Sequence, residues 1–222
     1  MSIIKHKNQR VAVFIDTQNL YHSAKNLYRG LRVNFKSVLE EAVAGRQIVR
    51  ALAYVITTES GDETNFFEAL TKIGIETKTK DLQIFFGGNK KADWDVGLAV
   101  DAIKSANKVD VIILATGDGD FVPLVEYLKN YVQVEVISFG KSSSSSLRNV
   151  CDDFIDMSER PEKYLIGFKK VRTNIKNNFQ NNNRRKIENI PSTNLEPVNL
   201  ENKISNSSSG LDLNSDSKLL GE

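Results

Sequence analysis

Apolar runs of strand length recur along the first 158 residues, and most are followed by a stretch with helical spacing. RVAVFID, from Arg10 to Asp16, ends on a carboxylate; Thr17, Gln18 and Asn19 then turn the chain, and Leu20 to Arg29 reads as a helix stopped by Gly30. Asn34 is a good N-cap for a helix that ends at Gly45. Arg50 to Thr58 is rich in β-formers, and Asp62 caps a helix that runs through Ile73 to a stop at Gly74. Ile75 to Thr79 reads as a short strand, and Leu82 to Phe86 as one that pairs before a Gly87-Gly88 turn. Asp93 or Trp94 opens a helix to about Asn107. Val111 to Leu114 is then continuously apolar, as a strand buried on both faces would be. Thr116 to Asp120 forms the turn at its carboxyl end, Phe121 to Lys129 a helix, and Val132 to Ser138 another buried strand. Past Gly140, KSSSSS reads as a flexible link, Leu147 to Val150 as a short helix and Phe154 to Met157 as a last edge strand.

Strands alternating with helices of this length imply right-handed crossovers, hence a three-layer α/β/α sandwich around a mostly parallel sheet. The expected organisation is an N-terminal extension over residues 1–9, a domain over 10–158 closed by Pro161, a basic extension over 159–177, and a polar tail over 178–222. Glu162 to Lys176 has a helical reading. NNFQNNNRRK and the Ser/Asn-rich run after it lack any apolar period, which is the pattern of disorder.

Composition narrows the chemistry. The one cysteine, Cys151, has no partner for a disulfide or a thiolate metal site, and the only histidines are His6 and His22. A metal here would therefore take oxygen ligands, which points to Mg²⁺ or Mn²⁺. The chain has no run of 18 apolar residues and its start, MSIIKHKNQR, lacks the apolar core of a secretory signal, so a soluble cytoplasmic protein without membrane partners is expected. The net charge of +2 hides an asymmetry. Residues 160–222 hold 11 Lys/Arg and 7 Asp/Glu, and Arg160 to Lys186 alone holds nine basic residues against Glu162.

Carboxylates stand where open α/β sheets place their ligands. Asp16 ends one strand, Asp118 and Asp120 follow another, and Asp93 and Asp95 begin a helix. Two carboxylates about 4 Å apart repel by roughly 4 kcal/mol at an effective dielectric near 20, so such a group calls for a cation. Asp93 alone would be an N-cap, Asp120 a helix-start carboxylate, and Asp101 a solvated helix position. Asp16 and Asp118 are harder to dismiss, because a carboxylate directly after a buried strand is costly unless paired or bound. Asp101 lies about 80° round the helix from Asp93 and about 120° from Asp95, so it reaches inward with Asp93 more easily than with Asp95. Asn19 either caps the first helix or holds a metal-bound water or phosphate. Lys90 and Lys91 are solvated, or one of them meets a phosphate in front of the acidic helix start.

FIDTQNL (14–20), KADWDVGLAVDA (91–102) and TGDGDFVPL (116–124) together resemble the NYN domain, a PIN-like ribonuclease fold, in its bacterial LabA-like branch. The resemblance spans about residues 10–158, and SSLRNVCDDFIDM (145–157) is similar to that branch's closing segment. It implies an acidic pocket of Asp16, Asp95 and Asp118, supported by Asp101 and Asp120, with Asn19 beside them. Thr116, Lys90 and Lys91 complete the candidate substrate contacts, and Asp93 remains an alternative ligand to Asp95.

The implied activity is Mg²⁺- or Mn²⁺-dependent hydrolysis of RNA phosphodiester bonds by an activated water, without a covalent nucleophile. The alternative is a non-catalytic RNA-binding or regulatory protein that keeps the acidic pocket. A haloacid-dehalogenase-type phosphatase would need an aspartate two positions after its nucleophile, where this chain has Gln18, and a Toprim-type domain would want a glutamate in place of Asp16. No Gly-x-Gly-x-x-Gly turn or Walker lysine is present. RNA is expected to meet the pocket rim and the stretch Arg160 to Lys186, where Tyr164, Phe168 and Phe179 interleave with the cations; a solubilising tail is the plainer role for that stretch. A homo-oligomer is left open.

Overall fold

The computed structural model describes residues 3–57, 64–81, 83–84, 90–91 and 93–169, with the backbone alone for 83–84 and 90–91. In chain order it contains β1 (Arg10–Asp16), α1 (Thr17–Leu27), β2 (Arg32–Val33), α2 (Phe35–Val43), β3 (Gln47–Thr57), α3 (Thr64–Lys72) and β4 (Glu76–Asp81). A short hairpin, β5 (Gln83–Ile84) with β6 (Lys90–Lys91), leads to α4 (Asp95–Ser105) and β7 (Val111–Ala115). A 3₁₀ turn (Gly119–Phe121), α5 (Val122–Leu128), β8 (Gln133–Ser138), α6 (Ser145–Val150) and β9 (Asp153–Asp156) follow. A second 3₁₀ turn (Met157–Glu159), α7 (Pro161–Tyr164) and β10 (Leu165–Ile166) come last.

The main sheet has the order β4-β3-β1-β7-β8-β9, and every pairing in it is parallel. Its central strands are apolar on both faces because helices cover both. Val11, Val13 and Ile15 of β1 pack with Leu20 and Ala24 of α1, Val38 and Ala42 of α2 and Leu70 of α3. Ala12 and Phe14 face the opposite layer, with Leu98 and Ala102 of α4, Val125 and Leu128 of α5 and Leu147 of α6. No helix among the described residues is long and apolar enough to cross a membrane.

From β1 the chain moves outward to β3 and β4, then returns to the other side of β1 as β7 and moves outward again to β8 and β9. The direction of winding therefore reverses between β1 and β7, the crevice in which open α/β sheets bind ligands. Pairing runs from Val11 with Val111 to Ile15 with Ala115, so the two strands end level and Asp16 and Thr116 leave the sheet side by side.

Three expectations are corrected. Thr17, Gln18 and Asn19 are the first turn of α1 rather than a separate turn, because the Asp16 carboxylate caps the helix by accepting the Asn19 N–H at 3.0 Å. The serine run is not a flexible link. Ser142 Oγ bonds Ser23 Oγ at 2.9 Å, Ser143 Oγ donates to the Phe139 carbonyl at 2.9 Å, and the Ser144 N–H donates to the Gly117 carbonyl at 2.9 Å. Nor does the chain leave the fold at residue 158 as a basic helix. α7 is a single turn, β10 pairs antiparallel with β2, and Tyr164 and Leu165 are buried in the core. Arg160 bonds Glu41 at 2.9 Å, Lys163 pairs with the same carboxylate, and Phe168 packs edge-on against Tyr28, so these residues join the fold. Asp62, Gly87, Gly88, Phe179 and the rest of the segment from Lys170 to Lys186 lie outside the described residues.

Candidate metal centre

Two strand ends and one helix start build the site. At the end of β7, Thr116 is fully buried, donates its hydroxyl to Asp16 Oδ2 at 3.2 Å and accepts the Asp118 N–H at 3.2 Å. Asp118 in turn accepts the Asp120 N–H at 3.0 Å, which starts the 3₁₀ turn and sets both carboxylates on one short loop. The Gly117 peptide is held from both sides, its N–H by Asn19 Oδ1 at 2.8 Å and its carbonyl by the Ser144 N–H. Close approach favours glycine here. A Cβ on Gly117 would meet Ser143 Oγ at 2.7 Å and Ser138 Oγ at 2.9 Å, and one on Gly119 would meet Ser144 Oγ at 2.8 Å.

The third component is α4. Trp94 anchors its start by donating Nε1–H to the Val55 carbonyl at 3.0 Å and packing its ring 5.4 Å from that of Tyr54. Lys80 steadies the same segment, donating to the Asp93 carbonyl at 3.1 Å and lying 5.7 Å from the Trp94 ring. Asp95, the first residue of α4, is thereby brought to the strand ends. One carboxylate oxygen each from Asp95, Asp118 and Asp120 lies within 4.8 Å of the other two.

Electrostatics agree with a cation site. Burial, then the charges of Asp16, Asp118, Asp93 and Asp120, pushes the Asp95 carboxyl up to about 6. Burial also raises Asp16, against the bonds from Asn19 and Thr116. Three hard oxygen donors on mutually repelling carboxylates suit a hard divalent cation.

The structure thus gathers Asp95, Asp118 and Asp120, and of the two acids in KADWD it chooses Asp95. Asp93 is exposed and not one of the three, and its charge acts on Asp95. Asp16 is not one of the three, but it caps α1, accepts from Asn19 and Thr116, and is the largest of the neighbouring charges that raise Asp95. Asp101 turns elsewhere. Its Oδ2 accepts from Lys78 Nζ at 2.6 Å and Tyr54 OH at 2.8 Å, and although burial acts to raise it, those partners hold it below the usual aspartate value. Asn19 and Thr116 are joints between the acidic turns. Lys90 and Lys91 form β6, and their side chains lie outside the described residues. Sequence reasoning missed the serine loop. Its signal was position: it follows a buried parallel strand and so had to emerge at the ligand edge of the sheet.

The NYN domain model matches residues 10–159. The chain is 29% identical over 175 residues to the low amplitude and bright protein LabA of Synechococcus elongatus, covering 70% of this chain and 92% of that one. It is also similar to the crystal structure of a protein of unknown function from Vibrio parahaemolyticus. There the TM-score is 0.66 at 30% identity, over 74% of this chain and all of the other. With the family's motifs meeting at the switch point of the sheet, the chain belongs to the NYN domain family as a LabA-like protein.

Proposed function

We propose that this protein is a Mg²⁺- or Mn²⁺-dependent ribonuclease that hydrolyses phosphodiester bonds at the aspartate trio. The observation that carries the reading is the meeting of Asp95 with Asp118 and Asp120, from two distant motifs, within 4.8 Å at the β1/β7 crevice. Asp95, Asp118 and Asp120 would hold the ion, with Asp16 adding negative charge beside Asp95. When bound, such an ion supplies Lewis-acid polarisation of a phosphate and lowers the pKa of a water. Thr116 and Asn19 fix the two turns relative to each other, so the carboxylates need little reorganisation when substrate arrives. RNA is the proposed substrate because the family is PIN-like, and Lys170 to Lys186 remains a proposed contact for it.

The test is incubation of the purified full chain with end-labelled single-stranded and structured RNAs in Mg²⁺, Mn²⁺ or EDTA, beside Asp118→Asn. Cleavage that needs the ion and falls by orders of magnitude in the variant supports the reading. RNA binding without ion-dependent cleavage would instead assign the protein a non-catalytic, regulatory role.

A further inference from the structure

An acidic pocket repels the polyanion it is proposed to cut, so attraction must come from nearby surface. α1 begins at the pocket, directly after Asp16, and from Thr17 to Leu39 the chain has no acidic residue but carries Lys25, Arg29, Arg32 and Lys36. Thr17, Leu20, Ser23 and Ala24 form the buried face of the helix. Gln18, Tyr21, His22 and Lys25, at i, i+3, i+4 and i+7, form an exposed stripe roughly 10 Å long that leads away from the pocket. Tyr21 is 52% exposed, its ring lies edge-on 5.5 Å from His22, and Lys25 Nζ sits 5.9 Å from its centroid. Among the described residues, no ion pair involves Lys25 or Arg29. The Ser23–Ser142 bond, on the buried face of the helix, ties it to the serine loop.

We propose that this face of α1 is a platform for single-stranded RNA, with a base on Tyr21 and a phosphate on Lys25, and that it feeds the aspartate trio. The inference rests on the ribonuclease reading and deepens it. A solvated aromatic ring offers every base a stacking face, and unpaired cations beside it bind phosphates by releasing counterions. A duplex hides its bases from such a ring, so the platform selects unpaired strands.

The experiment measures anisotropy of a fluorescein-labelled, unstructured RNA and of its duplex against the full chain, in EDTA to prevent cleavage and over a range of salt. Tyr21→Ala should weaken single-strand binding about tenfold, Tyr21→Phe should leave it unchanged, and Tyr131→Ala, an exposed tyrosine at the opposite edge of the sheet, should do nothing. Lys25→Ala should flatten the slope of log affinity against log salt by about 0.7. If the parent binds RNA and both Tyr21→Ala and Lys25→Ala match it in affinity and slope, the platform is overturned while the ribonuclease reading stands. If the parent binds no RNA, both fall.

Discussion

The side-chain oxygen of Asn19 accepts the Gly117 N–H at 2.8 Å, while its own backbone N–H donates to Asp16 at 3.0 Å. One residue thereby joins the acidic turn after β1 to the acidic turn after β7. Asn19→Ala removes the acceptor of a buried N–H, which costs about 1–3 kcal/mol, and frees the loop that carries Asp118. The variant should melt earlier than the parent and lose part of the rise in melting temperature that millimolar Mn²⁺ produces. Scanning fluorimetry with and without Mn²⁺ checks this, and parental values in both conditions would remove Asn19 from the site.

Asp95 supplies a pH dependence. Its folded-state pKa is raised from 3.8 to about 6, so the folded chain binds that proton more tightly than the unfolded chain. The favourable contribution is full below about pH 4 and is lost as pH rises through about 6. Asp95→Asn should therefore stabilise the chelator-treated protein at pH 7, by on the order of 1 kcal/mol after solvent screening, and the gain should vanish below pH 4. Urea titrations at the two pH values give the comparison, and a gain of equal size at both would refute the electrostatic account.

The strands, their order of alternation with helices and the acidic strand ends were legible in the sequence, because burial on both faces leaves continuous apolar runs such as VIIL. Which acids meet was less so. Choosing Asp95 over Asp93 depends on Trp94 reaching the Val55 carbonyl across the sheet, and the diversion of Asp101 depends on Lys78 standing on the edge strand beside Tyr54. Both are contacts between segments far apart in sequence, which local periodicity does not encode. The serine loop was misread for the same reason, since its hydroxyls find Ser23 and the Phe139 carbonyl only after the sheet has formed.

At the other end of the sheet, Glu135 is fully buried on β8 and bonded in bidentate fashion to Arg46, at 2.5 Å and 2.9 Å, with Lys5 at 3.0 Å. Glu135→Gln leaves the Arg46 charge nine-tenths or more buried without its counter-ion, a loss of roughly 3–5 kcal/mol. Chemical denaturation should show a shift of that size, with no change in how the remaining folded protein responds to Mn²⁺. A shift below about 1 kcal/mol would mean that the pair is solvated or readily replaced.

Asp101 and Asp118 allow the metal centre to be located by contrast. Both are carboxylates on the motifs that mark the family, but Asp118 faces two other acids, whereas Asp101 faces Lys78 and Tyr54. Removing the charge at Asp118 relieves repulsion, so Asp118→Asn in chelator should melt no lower than the parent and should lose most of the Mn²⁺-induced rise. Asp101→Asn does the reverse. It leaves the Lys78 ammonium without its carboxylate and weakens the Tyr54 hydrogen bond, lowering stability by roughly 1–2 kcal/mol, while the Mn²⁺-induced rise stays near the parental size because no member of the trio has changed. Melting curves of parent and both variants, each with chelator and with Mn²⁺, separate the two roles in one experiment. Loss of the Mn²⁺ response in Asp101→Asn together with its retention in Asp118→Asn would move the ion along α4 to the Tyr54 side and dissolve the trio as its site.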